Sequence, residues 1–173
     1  MPQFKRRHFL QLAGSTLASI GLSQTDFLRQ SERYGRTLAQ NTSRKLALLV
    51  GINQYPAPIN SLKGCINDVY LQRQLLIHRF GFNPNDIMVL TDDTELKPTR
   101  NNILQAFQQH LIAQATSGDV VVFHYSGHGS QVVDPDPIQP GEEYRYNGTL
   151  VPMDAVPLGE EDSKIVVPDI MGR

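Results

Sequence analysis

A chain of 173 residues is long enough for one compact domain and too short for two ordinary ones. Apolar residues make up 40% and charged residues 19%, a globular composition that excludes a wholly disordered chain. The formal net charge of -1 gives no reason to expect nucleic acid or an anionic membrane as partner, and the single cysteine, Cys65, excludes an intrachain disulfide.

Met1 to Gln24 opens with Lys5-Arg6-Arg7, continues with Phe9-Leu10 and runs through small and apolar residues from Leu12 to Leu22. A basic head before a short apolar stretch is the layout of an export signal. Arg6-Arg7 with Phe9-Leu10 resembles the twin-arginine signal, which carries folded proteins across a bacterial or thylakoid membrane; Lys5 and Gln11 depart from it. Gly14, Ser15, Ser19 and Gly21 keep the apolar stretch weak, as suits that signal type. The competing reading is a basic tail followed by a short helix. Thr37-Leu38-Ala39 is the nearest small-x-small cleavage signal, and residues 25–43, rich in Gln, Arg, Ser and Thr, read as a linker. The expected location is the periplasm or thylakoid lumen, or the cytoplasm should the signal not act. No apolar run reaches the roughly 18 residues that span a bilayer, so no membrane span is expected after signal removal.

From Arg44 the pattern alternates between strand and helix. Leu46 to Ile52 is a near-continuous apolar run, as expected of a strand buried on both faces. Pro56 and Pro58 make Asn53 to Leu62 a loop. Ile66, Val69, Leu76 and Phe80 form one helical stripe, with Gly81 placed to cap it. Asp86 to Thr91 reads as a second strand. Pro98-Thr99 opens a second helix with Leu104, Phe107, Leu111 and Ala115 on its inner stripe, and Ser117-Gly118 closes it. Asp119 to Tyr125 is the third strand. This order predicts an α/β fold, a mainly parallel sheet with helices on both faces. Active sites of such sheets form beyond the carboxyl ends of the strands, which singles out Asn53 to Asp68 and Ser126 to Gln131.

Ser126-Gly127-His128-Gly129 follows the third strand directly, so His128 sits at a sheet edge on a tight turn. A histidine so placed can act as general base for a nucleophile on another loop; the alternative is a turn residue bonded to backbone. His124 lies within the strand and reads as a core histidine or one that supports a site residue. The two are four residues apart, but on a strand and turn rather than a helix, so they do not read as a zinc pair. Ser126 lacks the Gly-x-Ser-x-Gly context of a hydrolase serine.

Phe123-His124-Tyr125-Ser126-Gly127-His128-Gly129 resembles the catalytic-histidine motif of caspase-like cysteine peptidases in its metacaspase form. Leu48 to Tyr55 is similar to that family's first strand and loop, Leu62 to Asp68 to the opening of its first helix, and Thr149 to Asp154 to its strand and acidic loop beyond the histidine. The resemblance runs from about Lys45 to Asp169. It implies a caspase-like fold and a cysteine endopeptidase in which His128 is the base. A thiolate in an Asp-x-Cys-His-Ser-Gly segment after a fourth strand would then attack the peptide carbonyl. It implies that Cys65, Asp68 and Ser126 line the S1 pocket. An acid there favours a basic P1 side chain, so the partner is a peptide or protein cut after Arg or Lys. It implies no cofactor for the chemistry itself, with calcium as activator and Asp154 matching one of its carboxylates.

The sequence also departs from that pattern. Cys65 is the one thiol and lies at the first helix, so the fold is expected to be incomplete at its C-terminal side and this chain alone inactive. Asn147-Gly148 and Pro168-Asp169 stand where acidic pairs are usual; Glu142, Glu143, Glu160, Glu161 and Asp162 supply loop charge. The expected organisation is a signal over 1–24, a linker over 25–43 and a partial peptidase domain over 44–173. The alternative is a non-catalytic caspase-like binding or scaffold module.

Overall fold

The computed structural model describes residues 24–42, 44–133 and 146–155. The expected signal segment, apart from Gln24, and the acidic positions Glu142, Glu143, Glu160, Glu161, Asp162 and Asp169 lie outside the described residues. The chain divides into two compact units, the first ending at Asn41 and the second beginning at Thr42.

In the first unit, helix α1 runs over Gln24–Leu38. Most of the segment read as a linker is therefore helical. Its Gln, Arg and Leu residues favour a helix and no proline interrupts them. Glu32 and Arg36 form an exposed pair four residues apart, at 3.1 Å. Among the described residues no helix is long and apolar enough to cross a membrane.

The second unit is built on three parallel strands, β1 (Lys45–Gly51), β2 (Ile87–Thr91) and β3 (Val120–Ser126), in the order β2-β1-β3. The central strand explains the unbroken apolar run, since both of its faces are covered. Leu46, Leu48, Val50 and Ile52 point by alternation into one core with Ile103, Ala106 and Leu111. Gly51 points the other way, toward Val69 and Cys65 of helix α2 (Cys65–Phe80). Leu46, Leu48, Leu49, Val50 and Ile52 are fully buried, each contributing roughly 1.5–3 kcal/mol by leaving water. The expected α/β sheet with helices on both faces is the observed one.

Helix α2 ends where Gly81 adopts φ 69, a left-handed turn that lets the Gly81 and Phe82 amides return to the carbonyls of Ile77 and Leu76. Helix α3 (Arg100–Ala106) is capped by Thr99, whose hydroxyl accepts from the Asn102 amide. It then widens into a π-turn over Phe107–Ile112. That turn changes the expected stripe: Ile103, Ala106 and Leu111 are buried, whereas Leu104 and Phe107 are only half-buried. An i→i+5 turn carries an extra residue, so one 3.6-residue stripe cannot run through it. His110 pins the wide turn to the sheet, its Nε2–H shared between the carbonyls of Ala47 and Asp86 at 3.1 Å each.

Beyond β3 the chain forms an antiparallel pair, β4 (Gly129–Val133) with β5 (Tyr146–Leu150), in register Gly129↔Leu150. The segment from Ser126 to Gln131, singled out as a site position, is strand at both ends, and Gly127-His128 alone makes the turn.

Candidate active site

The carboxyl ends of β1 and β3 lie side by side, Gly51 opposite Ser126. Asp68 reaches this edge from the first turn of α2, where a carboxylate is favoured by the helix dipole. Ser126 Oγ donates to Asp68 Oδ2 at 2.8 Å. Cys65 opens the same helix and is buried, and its backbone N–H donates to the Asn53 side-chain oxygen at 3.0 Å. The structure thus brings Asp68 and Ser126 into contact and places Cys65 one turn away from Asp68.

Gly51 is what lets α2 start so close to the sheet. A Cβ on it would meet the Cys65 carbonyl oxygen at 2.8 Å and Val69 Cγ2 at 2.7 Å. Gly51→Ala is expected to cost about 1–3 kcal/mol, read as a lower urea midpoint, and to perturb the amide resonances of Cys65 and Asp68.

His128 sits in the turn after β3. Its Nε2 lies 2.7 Å from the Asn60 carbonyl oxygen. A carbonyl can only accept, so Nε2 carries the proton and Nδ1 is the basic nitrogen. Backbone fixes both ends of the residue. Its N–H donates to Tyr55 Oη at 2.9 Å, and its carbonyl accepts from Val151 N–H at 3.0 Å. The Tyr55 ring lies tilted against the imidazole at 4.8 Å between centroids.

The loop that supplies Tyr55 and Asn60 is anchored by a residue the sequence did not point to. Asp92, at the end of β2, is buried and its Oδ2 accepts the Asn53 and Gln54 amides at 2.8 and 3.0 Å. A signal was present: an Asp pair directly after a buried strand, at the sheet edge where sites form.

His124 shares a strand face with Ser126, two residues on. Its Nε2 is buried with no hydrogen-bond partner among the described residues. Burial holds its pKa below the usual value, and the nearby Asp68 charge partly offsets this. The unfolded chain therefore binds the extra proton more readily, so stability rises with pH. The contribution is complete above about 6.5 and falls as acid protonates the unfolded form. Urea midpoints at pH 5.5 and 7.5 are expected to differ less in His124→Gln than in the parent.

Asp154 does not join this cluster. Its Oδ1 accepts the Arg100 amide at 2.7 Å, at the start of α3. Calcium needs six or more oxygens, and among the described residues no three His, Cys, Asp or Glu side chains converge on a metal position. The described residues alone do not make a calcium cage.

The sequence profile of the Metacaspase, peptidase C14 domain family matches residues 45–171. This chain belongs to the metacaspase family. It is 43% identical over 130 residues to Metacaspase-7 of Arabidopsis thaliana, covering 73% of this chain and 31% of that protein. Metacaspase-1 of Scheffersomyces stipitis is 41% identical over 128 residues, covering 72% and 30%. Metacaspase-9 of Arabidopsis thaliana is 44% identical over 114 residues, covering 64% and 34%. The chain thus spans about a third of the length of the metacaspases it matches. A solved structure from Geobacter sulfurreducens is 23% identical at a TM-score of 0.49, covering 64% of this chain and 40% of that one, a likeness too slight to argue from.

Proposed function

We propose that this chain is the histidine-bearing part of a cysteine endopeptidase that cleaves after Arg or Lys. The observation that carries the proposal is the Nε2–H contact of His128 with the Asn60 carbonyl, which turns the imidazole into a base at Nδ1. In the proposed step Nδ1 takes the proton of a cysteine thiol, the thiolate attacks the peptide carbonyl, and the imidazolium returns the proton to the leaving amine. Cys65 is buried at the start of α2 and is the one thiol among these 173 residues, so the nucleophile comes from outside them.

Asp68, held by Ser126 beside Cys65, is the proposed floor of the S1 pocket, where a carboxylate receives a guanidinium or ammonium. Calcium enters only as an activator, with Asp154 as one donor and further oxygens from outside the described residues, and has no part in the bond-breaking step. Export by the segment at 1–24 and a peptidase domain from residue 44 belong to the same proposal.

The test is cleavage of fluorogenic peptides with Arg, Lys or Asp at P1 by a product that extends through a following Cys-containing segment, with and without calcium. Turnover at Arg and Lys, lost in Asp68→Asn and retained in Cys65→Ala, is expected. No turnover under any condition would favour the non-catalytic module, the reading that the buried Cys65 otherwise supports.

A further inference from the structure

We propose that Tyr55 and Tyr125 form a one-way hydrogen-bond relay that positions His128, and that residue 127 is glycine because the relay fills the space a side chain would need. This rests on the assignment of His128 as the base and adds what holds it.

Gly127 and Gly129 allow the turn but restrain no torsion, so the rigidity of His128 must come from elsewhere. The hydroxyls supply it. His128 N–H donates to Tyr55 Oη at 2.9 Å. Tyr55 Oη and Tyr125 Oη are 3.3 Å apart. Tyr125 Oη lies 2.5 Å from the Val151 carbonyl and 3.1 Å from the His128 carbonyl. Tyr125 has one proton and both carbonyls only accept, so that proton goes to a carbonyl, the nearer being Val151. Tyr125 is then the acceptor toward Tyr55. The order is therefore His128 N–H to Tyr55, Tyr55 O–H to Tyr125, and Tyr125 O–H to Val151. Val151 N–H closes the circuit on the His128 carbonyl at 3.0 Å. Bonds aligned head to tail in this way polarise one another.

Burial pushes both phenols above their usual pKa, and the neighbouring Tyr55 phenol pushes Tyr125 further, so the donors persist at every physiological pH. A Cβ on Gly127 would stand 2.5 Å from Tyr125 Oη and 2.6 Å from Tyr55 Oη. Phenol rings are rigid and both are packed against the core, so neither hydroxyl could move aside without breaking the circuit.

The test uses the full chain with 15N-labelled histidine. In the parent, long-range 1H–15N correlation should show His128 protonated at Nε2 and bare at Nδ1, with a slowly exchanging backbone amide. Tyr55→Phe keeps the ring and removes the acceptor. The His128 amide should then exchange about 10-fold faster or more, and the imidazole shifts should move toward a mixture of tautomers. Tyr125→Phe should move both in the same direction, and Gly127→Ala should match a variant carrying Tyr55→Phe and Tyr125→Phe together. Should Gly127→Ala not fold, the two Phe variants decide. In a product bearing the nucleophile, Tyr55→Phe should lower kcat about 10-fold with KM little changed. Unaltered tautomer and amide exchange of His128 in both Phe variants, with only stability lowered, would overturn the relay. The base assignment stands or falls separately, on whether His128→Ala abolishes cleavage.

Discussion

His128→Ala is expected to lower kcat/KM for Arg and Lys peptides by about 10²–10⁴-fold in a metacaspase product that carries the nucleophile. Folding should survive, because the side chain makes one hydrogen bond, to the Asn60 carbonyl, and is half-buried. The backbone contacts to Tyr55 and Val151 do not depend on the imidazole. A loss confined to kcat would mark a group that acts on the reacting atoms. Steady-state kinetics alongside a thermal melt of the same preparation checks both halves.

The second large effect is on stability. Asp92→Ala removes the acceptor of two backbone amides, Asn53 and Gln54, at the end of β1. Each orphaned amide costs about 1–3 kcal/mol, so a loss of roughly 2–6 kcal/mol is expected. For a unit of this size that is on the order of 10 °C in Tm. Asp92→Asn keeps one oxygen able to accept and should recover much of the loss. Because Asn53 also caps α2 through Cys65, Asp92→Ala should loosen Asp68 as well as the His128 loop. Denaturant melts and amide exchange at Gln54 and Cys65 test this.

What the sequence could and could not disclose follows from the range of the interactions. β1, β2, β3 and α2 were legible because apolar runs, one helical stripe and the glycine at 81 are local signals. The π-turn at Phe107–Ile112 was not, since an i→i+5 turn leaves no residue signature and its anchor, His110, acts on Ala47 and Asp86. β4 begins Gly129-Ser130-Gln131, which has little strand preference, and exists because β5 pairs with it. α1 was hidden by polar composition that suits an exposed helix as well as a linker. At the site, His128 stood out by its glycines and strand. The roles of Asp92 and Tyr55 depend on partners 39 and 73 residues away, which no local pattern marks.

The central position of β1 sets a timetable for synthesis. Ala47 pairs with Ile87 and Lys45 with Val120, so the first strand made waits for the last of the three before both its edges are satisfied. Until residues near Ser126 have left the ribosome, an almost wholly apolar strand has only one neighbour to join. Parallel pairings of such long sequence separation form slowly, and slow β pairing leaves sticky edges open to other chains. Pausing or truncation between Thr91 and Val120 should therefore yield insoluble nascent chains.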